Sequence, residues 1–287
     1  MLSYRHSFHA GNHADVLKHW ACVLTAEYMG QKDKPFLYID THAAVGVYSL
    51  YSSDAKKTAE ADAGIKALWD KDVPAGMNSY IDLIKSLNPP NKLSRYPGSP
   101  WFVTQCLRGT DKARLFELHP QDFVLLNKNF NDKRNVKAEK LDGFTGLKSL
   151  LPPPQKRAMV VIDPPYEQEH EYKLVVTAMK DSLKRFPNGV YVVWYPLINR
   201  PSMNSANKQN MAEKMAGQLS RLGAKSFLDV RFWVNGKDET KGMYGSGMAI
   251  INPPWNLASQ LEEGLPFLVE NLGQTAQAGY SVEYSEA

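Results

Sequence analysis

The 287-residue chain predicts an α/β protein built on a seven-stranded, mostly parallel, doubly wound sheet, and three observations carry that expectation. Short apolar runs rich in β-branched and aromatic residues recur along it. Helix-like stretches separate them, which is the pattern of βαβ units. One interval breaks the alternation and places a helical insertion early in the core.

The first strand covers residues 36–40, a buried run that ends on Asp40. Residues 113–118 form the second, with Glu117 near its end, and residues 136–140 a shorter third, followed by Leu141, Asp142 and Gly143. The fourth, 158–162, runs into Asp163-Pro164-Pro165-Tyr166; 189–195, 226–233 and 248–251 complete the seven. Helices are expected over 121–129, 172–185, 207–222 and 257–272. From 52 to 97 no strand is apparent, while 58–69 and 77–87 read as amphipathic helices ahead of Asn88-Pro89-Pro90-Asn91. The expected division is a flap with the first strand-helix unit over 1–51, a helical insertion over 52–97, and the rest of the core over 98–272. A tail over 273–287 is expected to trail along the surface. The length also admits two small domains.

Composition excludes several classes. An apolar fraction of 43% and a charged fraction of 22% suit a soluble globular protein. The longest apolar runs are too short to cross a bilayer, and the opening Tyr4-Arg5-His6 lacks a signal-peptide core, so a cytoplasmic protein is expected. Two cysteines, Cys22 and Cys106, fit a reducing compartment. A formal charge of +4 permits a nucleic-acid partner without requiring one.

Ligands of open α/β sheets sit beyond the carboxyl ends of the strands. Here those ends carry Asp40, Glu117, Asp142 and Asp163. Any one of them could simply cap a helix; four on successive strands suit a cationic, hydroxyl-rich ligand. After Asp40, the run Thr41-His42-Ala43-Ala44-Val45-Gly46-Val47-Tyr48 reads as a turn of small residues into a helix, where backbone can approach a ligand.

Asp163-Pro164-Pro165-Tyr166 is the more specific signal. A carboxylate and a carbonyl that each accept one N–H of a base's exocyclic amine make its nitrogen pyramidal, with the lone pair free for a methyl donor. Two prolines hold the loop rigid and aim the Pro164 carbonyl, and Tyr166 offers a flat face to an unstacked base. Asn252-Pro253-Pro254-Trp255 has the same form but follows the seventh strand rather than the fourth, so it reads as a rigid strand exit. His6, His9, His13 and His19 crowd the first 19 residues with Tyr4, Arg5, Phe8 and Lys18. His9 and His13 have helical spacing for a metal, but no Cys or acidic residue completes a familiar zinc set, so no metal is expected. A polar surface helix and a basic, aromatic RNA-contacting flap are the two readings of this segment.

These residues bear a resemblance to a known family. The opening Tyr4-Arg5-His6-Ser7-Phe8-His9, Tyr96-Pro97-Gly98-Ser99-Pro100, Glu117-Leu118-His119-Pro120, Asp142-Gly143-Phe144 and both proline-paired loops closely resemble the RlmJ family of bacterial 23S rRNA adenine-N6 methyltransferases, from residue 1 to about 270. The resemblance implies a class I Rossmann-like methyltransferase, S-adenosylmethionine as cofactor, 23S ribosomal RNA as partner, and a monomer. It implies cofactor contacts at His19, His42, Ser99, Glu117, Asp142, Gly143 and Asp163, catalysis at Asp163, and substrate contacts at Tyr4 and Lys18. One departure stands out. The family's turn reads Ala-Gly-Ala-Gly-Arg-Tyr where this chain has Ala43-Ala44-Val45-Gly46-Val47-Tyr48. If that position needs a positive φ, Ala44 costs about 1 kcal/mol and cofactor affinity is expected to fall.

Overall fold

The computed structural model describes residues 5–199, 211–239 and 241–286. A 3-10 turn at His6–Phe8 precedes the 18-residue helix α1 (His13–Gly30). Strand β1 (Leu37–Asp40) and the short β2 (Val47–Ser49) follow. Helices α2 (Ser53–Thr58), α3 (Ile65–Leu68) and α4 (Asn78–Leu87) then lead to β3 (Arg95–Pro97). Next come α5 (Ser99–Gln105), β4 (Lys112–Phe116), α6 (Pro120–Phe130), β5 (Val136–Glu139), α7 (Gly143–Leu150), β6 (Ala158–Ile162) and α8 (Glu169–Arg185). The last third holds β7 (Val190–Asn199), α9 (Met211–Leu219), β8 (Ser226–Trp233), β9 (Gly242–Ile251), α10 (Leu257–Leu272) and β10 (Gly279–Glu286).

The main sheet has the order β10-β8-β9-β7-β6-β1-β4-β5. Strands β5, β4, β1, β6 and β7 run parallel, while β9 runs antiparallel between β7 and β8. This is the expected class I Rossmann-like arrangement, with the first strand central. β6 is buried at every position because helices cover both faces of the sheet.

Five expectations need correction. The sheet has eight strands: the segment expected to trail along the surface is β10, paired along the whole of β8 from Gly279↔Trp233 to Glu286↔Ser226. Its apolar alternation consists only of Tyr280, Val282 and Tyr284 among Ser and Glu, the mixture of a half-exposed edge strand. The turn after Asp40 leads into β2 rather than a helix, and β2 pairs with β3 inside the interval read as strand-free. Strands of three residues are too short to display a period of two. In the insertion, the helix expected over 58–69 is broken into α2, a 3-10 turn and α3.

The fifth correction concerns the N-terminus. The segment from His13 onward is neither a surface helix nor a flap but a buried helix, with His13, Lys18 and His19 only 8%, 3% and 1% exposed. Helix α1 packs against α5, α10, α4 and β9. Buried on nearly every side, it lacks the apolar stripe that marks a surface helix. Asn12 starts it, its side chain accepting from Asp15 N at 2.9 Å.

Candidate active site

Because β1, β4, β5 and β6 are parallel, Asp40, Glu117, Asp142 and Asp163 all arrive at one edge of the sheet. A cavity of about 300 Å³ opens there. His19, His42, Ser99, Glu117, Asp142, Gly143, Asp163, Lys18 and Pro164 all line it. Tyr4 lies outside the described residues.

Each carboxylate is held differently. Asp40 is fully buried and accepts from Tyr38 Oη at 2.6 Å, Ser99 Oγ at 2.7 Å and His42 N at 3.2 Å. Burial pushes its carboxyl up to about 6 in spite of these donors. Its place at a strand end suggested a ligand group, but it is not one; it fixes Ser99 and His42, which line the cavity. Glu117 accepts from Ala44 N at 2.9 Å and from His119 N at 2.6 Å, and burial raises its carboxyl. Ala44 does take a positive φ of 47° to make that contact, so the alanine is strained there. Asp142 caps α7, one oxygen accepting from Thr145 N and Oγ1, both at 2.8 Å. A Cβ on Gly143 would meet Thr41 O at 1.9 Å, so only glycine lets α7 start against the β1 exit. His42 faces Phe144 edge-on at 5.3 Å, and burial pushes its imidazole down to about 4. His19 is held neutral by burial, its Nδ1 at 2.8 Å from Tyr96 Oη.

Asp163 sits at the junction of this cavity with a second one of about 590 Å³ that reaches Trp194 and Pro196. Lys18, from α1, donates to Asp163 Oδ2 at 2.6 Å and to Asp15 Oδ1 at 2.9 Å. Asp15 Oδ2 also accepts from Gly11 N and pairs with His6 Nε2, each at 2.9 Å. Burial opposes the Lys18 ammonium, but the two carboxylates outweigh it and raise Lys18 well above its ordinary value. Asp15 is likewise held low against burial, by His6 and Lys18. Asp15 and His6 were not expected at the site. The signal lay in the i, i+3 spacing of Asp15 and Lys18 on one helix.

Tyr166 requires a correction. Its φ of 50° turns the ring into the core, where it is 3% exposed and lies 4.5 Å from the Tyr172 ring. Its hydroxyl donates to Trp194 O at 2.8 Å. The residue lines the larger cavity, but its ring is almost wholly buried and its hydroxyl anchors the loop. The second proline pair behaves as expected of a strand exit. β9 is antiparallel, so Asn252 emerges at the opposite end of the sheet, donating to Pro187 O at 2.9 Å and Gly189 O at 2.8 Å.

The cavity suits S-adenosylmethionine on its own chemistry: carboxylates for ribose hydroxyls and an amino group, with Leu118 and Phe144 in the wall for a flat ring. Among the described residues no group of three His, Cys, Asp or Glu side chains could hold a metal, and no helix is long and apolar enough to cross a membrane.

Comparison with known proteins identifies the family. The family model described as "Ribosomal RNA large subunit methyltransferase D, RlmJ" matches residues 33–285. "Ribosomal RNA large subunit methyltransferase J" of Haemophilus influenzae is 42% identical over 286 residues, 99% of each chain. The protein of that name from Escherichia coli K12 is 43% identical over 273 residues, covering 95% of this chain and 94% of its own. A crystal structure of a Legionella pneumophila protein superposes with a TM-score of 0.86 at 34% identity, covering 96% of this chain and 98% of that one. The chain belongs to the RlmJ family of large-subunit ribosomal RNA methyltransferases.

Proposed function

We propose that this chain methylates N6 of one adenine in 23S ribosomal RNA, using S-adenosylmethionine, as a monomer in the cytoplasm. The observation that carries the reading is the Asp163-Pro164 loop standing where two cavities meet. When bound, S-adenosylmethionine supplies an electrophilic methyl on a sulfonium. Glu117 would take its ribose hydroxyls, Asp142 with its uncapped oxygen the adenine amine, and Ser99, His42, His19 and Gly143 the remainder of the pocket wall.

The chain's own residues set up the acceptor. The target base enters the larger cavity, and its amine donates one N–H to the Asp163 carboxylate and one to the Pro164 carbonyl. Lys18 occupies Asp163 Oδ2, which leaves Oδ1 to the amine. The nitrogen lone pair is thereby directed at the methyl, and positioning supplies most of the rate. As the N–C bond forms, the methyl–sulfur bond would break with its electron pair left on a neutral thioether, and the surplus proton on nitrogen would pass to Asp163 Oδ1. Tyr4 and Lys18 are the substrate-side contacts in this reading; Tyr166 holds the loop that carries Asp163 and Pro164.

The test is incubation with methyl-labelled cofactor and 23S rRNA fragments, followed by nucleoside analysis. Label in N6-methyladenosine is expected. Label absent from adenine in every RNA tried, or present only with DNA, would overturn the reading.

A further inference from the structure

The helical insertion meets the N-terminal segment along a strip bearing four exposed cations, Lys56, Lys57, Lys92 and Arg95. None of the four is in an ion pair among the described residues. The carboxylates nearby are engaged elsewhere. Asp54 accepts from Ser7 Oγ at 2.8 Å, Glu60 from His9 and Asn12, each at 2.9 Å, and Asp62 pairs with Lys66.

The strip is continuous. Ser49 pairs with Arg95 across the β2–β3 ribbon and Leu50 N donates to Ser94 O at 3.0 Å, so Tyr51 and Lys92 leave the same end of it. Lys92 Nζ stands 5.7 Å from the centre of the Tyr51 ring, which is 50% exposed. Ser52 then caps α2, whose last turn carries Lys56 and Lys57, and Lys57 Nζ lies 5.9 Å from the Phe8 ring. Phe8 ends the 3-10 turn that begins at His6, and His6 lines both cavities. The cations thus start at the mouth of the reaction site and lead away from it.

We propose that this strip docks the sugar-phosphate backbone of the RNA that flanks the target adenine. The proposal rests on the RNA substrate proposed above and adds where the flanking nucleotides run. Cations free of carboxylates gain from phosphates, with release of the counterions on the nucleic acid. Tyr51 offers an unpaired base a stacking face beside Lys92. The strip does not suit a protein partner: Tyr51 is the only large apolar side chain exposed within it among the described residues.

The experiment compares the full-length chain, a variant K56A/K57A/K92A/R95A, and a charge-matched control K180A/K184A/K214A/R221A on α8, α9 and the turn after α9. Binding of a labelled 23S rRNA fragment is measured across a salt series, with cofactor affinity by calorimetry as the check on folding. The strip variant is expected to bind RNA at least about tenfold more weakly at physiological salt. Its plot of log K against log salt should be shallower by about 3, because each neutralised phosphate contributes roughly 0.7–0.9 to the slope. Cofactor affinity and the control variant should match wild type. Wild-type affinity and slope in the strip variant, or an equal weakening in the control, would overturn the proposal. Binding is read apart from methyl transfer, so a wild type that binds RNA but transfers no methyl refutes the function proposed above while the salt slopes still decide the strip.

Discussion

Two loops of this molecule share one sequence form and differ in where the fold sends them. Asp163-Pro164-Pro165-Tyr166 leaves a parallel strand beside β1; Asn252-Pro253-Pro254-Trp255 leaves the antiparallel β9 at the far end of the sheet. Each has a residue in the left-handed region, Tyr166 at 50° and Asn252 at 52°, but on opposite sides of the proline pair. Tyr166 is buried and Trp255 is 78% exposed. Among the described residues Asp163 keeps one oxygen without a partner where two cavities meet, whereas Asn252 donates through its amide nitrogen to Pro187 and Gly189 and its amide oxygen is buried without a partner. A tetrapeptide of this kind makes a stiff exit anywhere; strand direction decides whether the exit faces a ligand.

The comparison breaks most readily at Asp163. Asp163→Ala is expected to lower turnover by at least about a thousandfold, the scale of removing a principal catalytic group, with cofactor binding reduced but measurable by calorimetry. Near-normal methyl transfer would remove Asp163 from the chemistry. Asn252→Ala should do the reverse. Removal of two hydrogen bonds, one exposed and one partly buried, is expected to reduce unfolding free energy by about 1–2 kcal/mol in urea titrations, with kcat of the folded enzyme unchanged. A turnover defect larger than the stability defect explains would erase the contrast between the loops.

Acid should act on the site end of the sheet. The His42 imidazole sits near 4 in the fold because burial disfavours its charge. The unfolded chain therefore takes up a proton below about 6.5 that the native chain refuses until about 4, and stability falls as pH drops through that window. Asp40, pushed up to about 6, contributes in the opposite sense. His42→Asn should lose about 2 kcal/mol less stability than wild type between pH 7 and pH 5. Parallel curves would mean that His42 titrates normally. The smallest effect is expected from Ala44→Gly, which relieves the 47° φ and should tighten cofactor binding by up to about 1 kcal/mol.

Much of the fold and part of the site were legible in the sequence because they are local patterns. Seven apolar runs separated by helices marked the strand positions, and carboxylates at their ends marked the ligand edge. What escaped depended on distant contacts or on weak periodicity. Nothing local announces that Lys18 meets Asp163 across 145 residues. Helix α1 hid because burial on all sides erases the amphipathic stripe. Tyr166 was identified as aromatic, but its backbone angle, not its identity, turns the ring inward.

Helix α1 carries Lys18 to Asp163 while resting on β9 and α10, elements made near the end of synthesis. Its other supports, α4 and α5, follow it closely in the chain, so one side of its seat forms early and the other late. Lys18 and Asp163 both precede β9, but the helix that carries Lys18 is fully covered only once β9 and α10 are in place. One buried helix thus ties the catalytic carboxylate proposed here to both the early and the late parts of the chain.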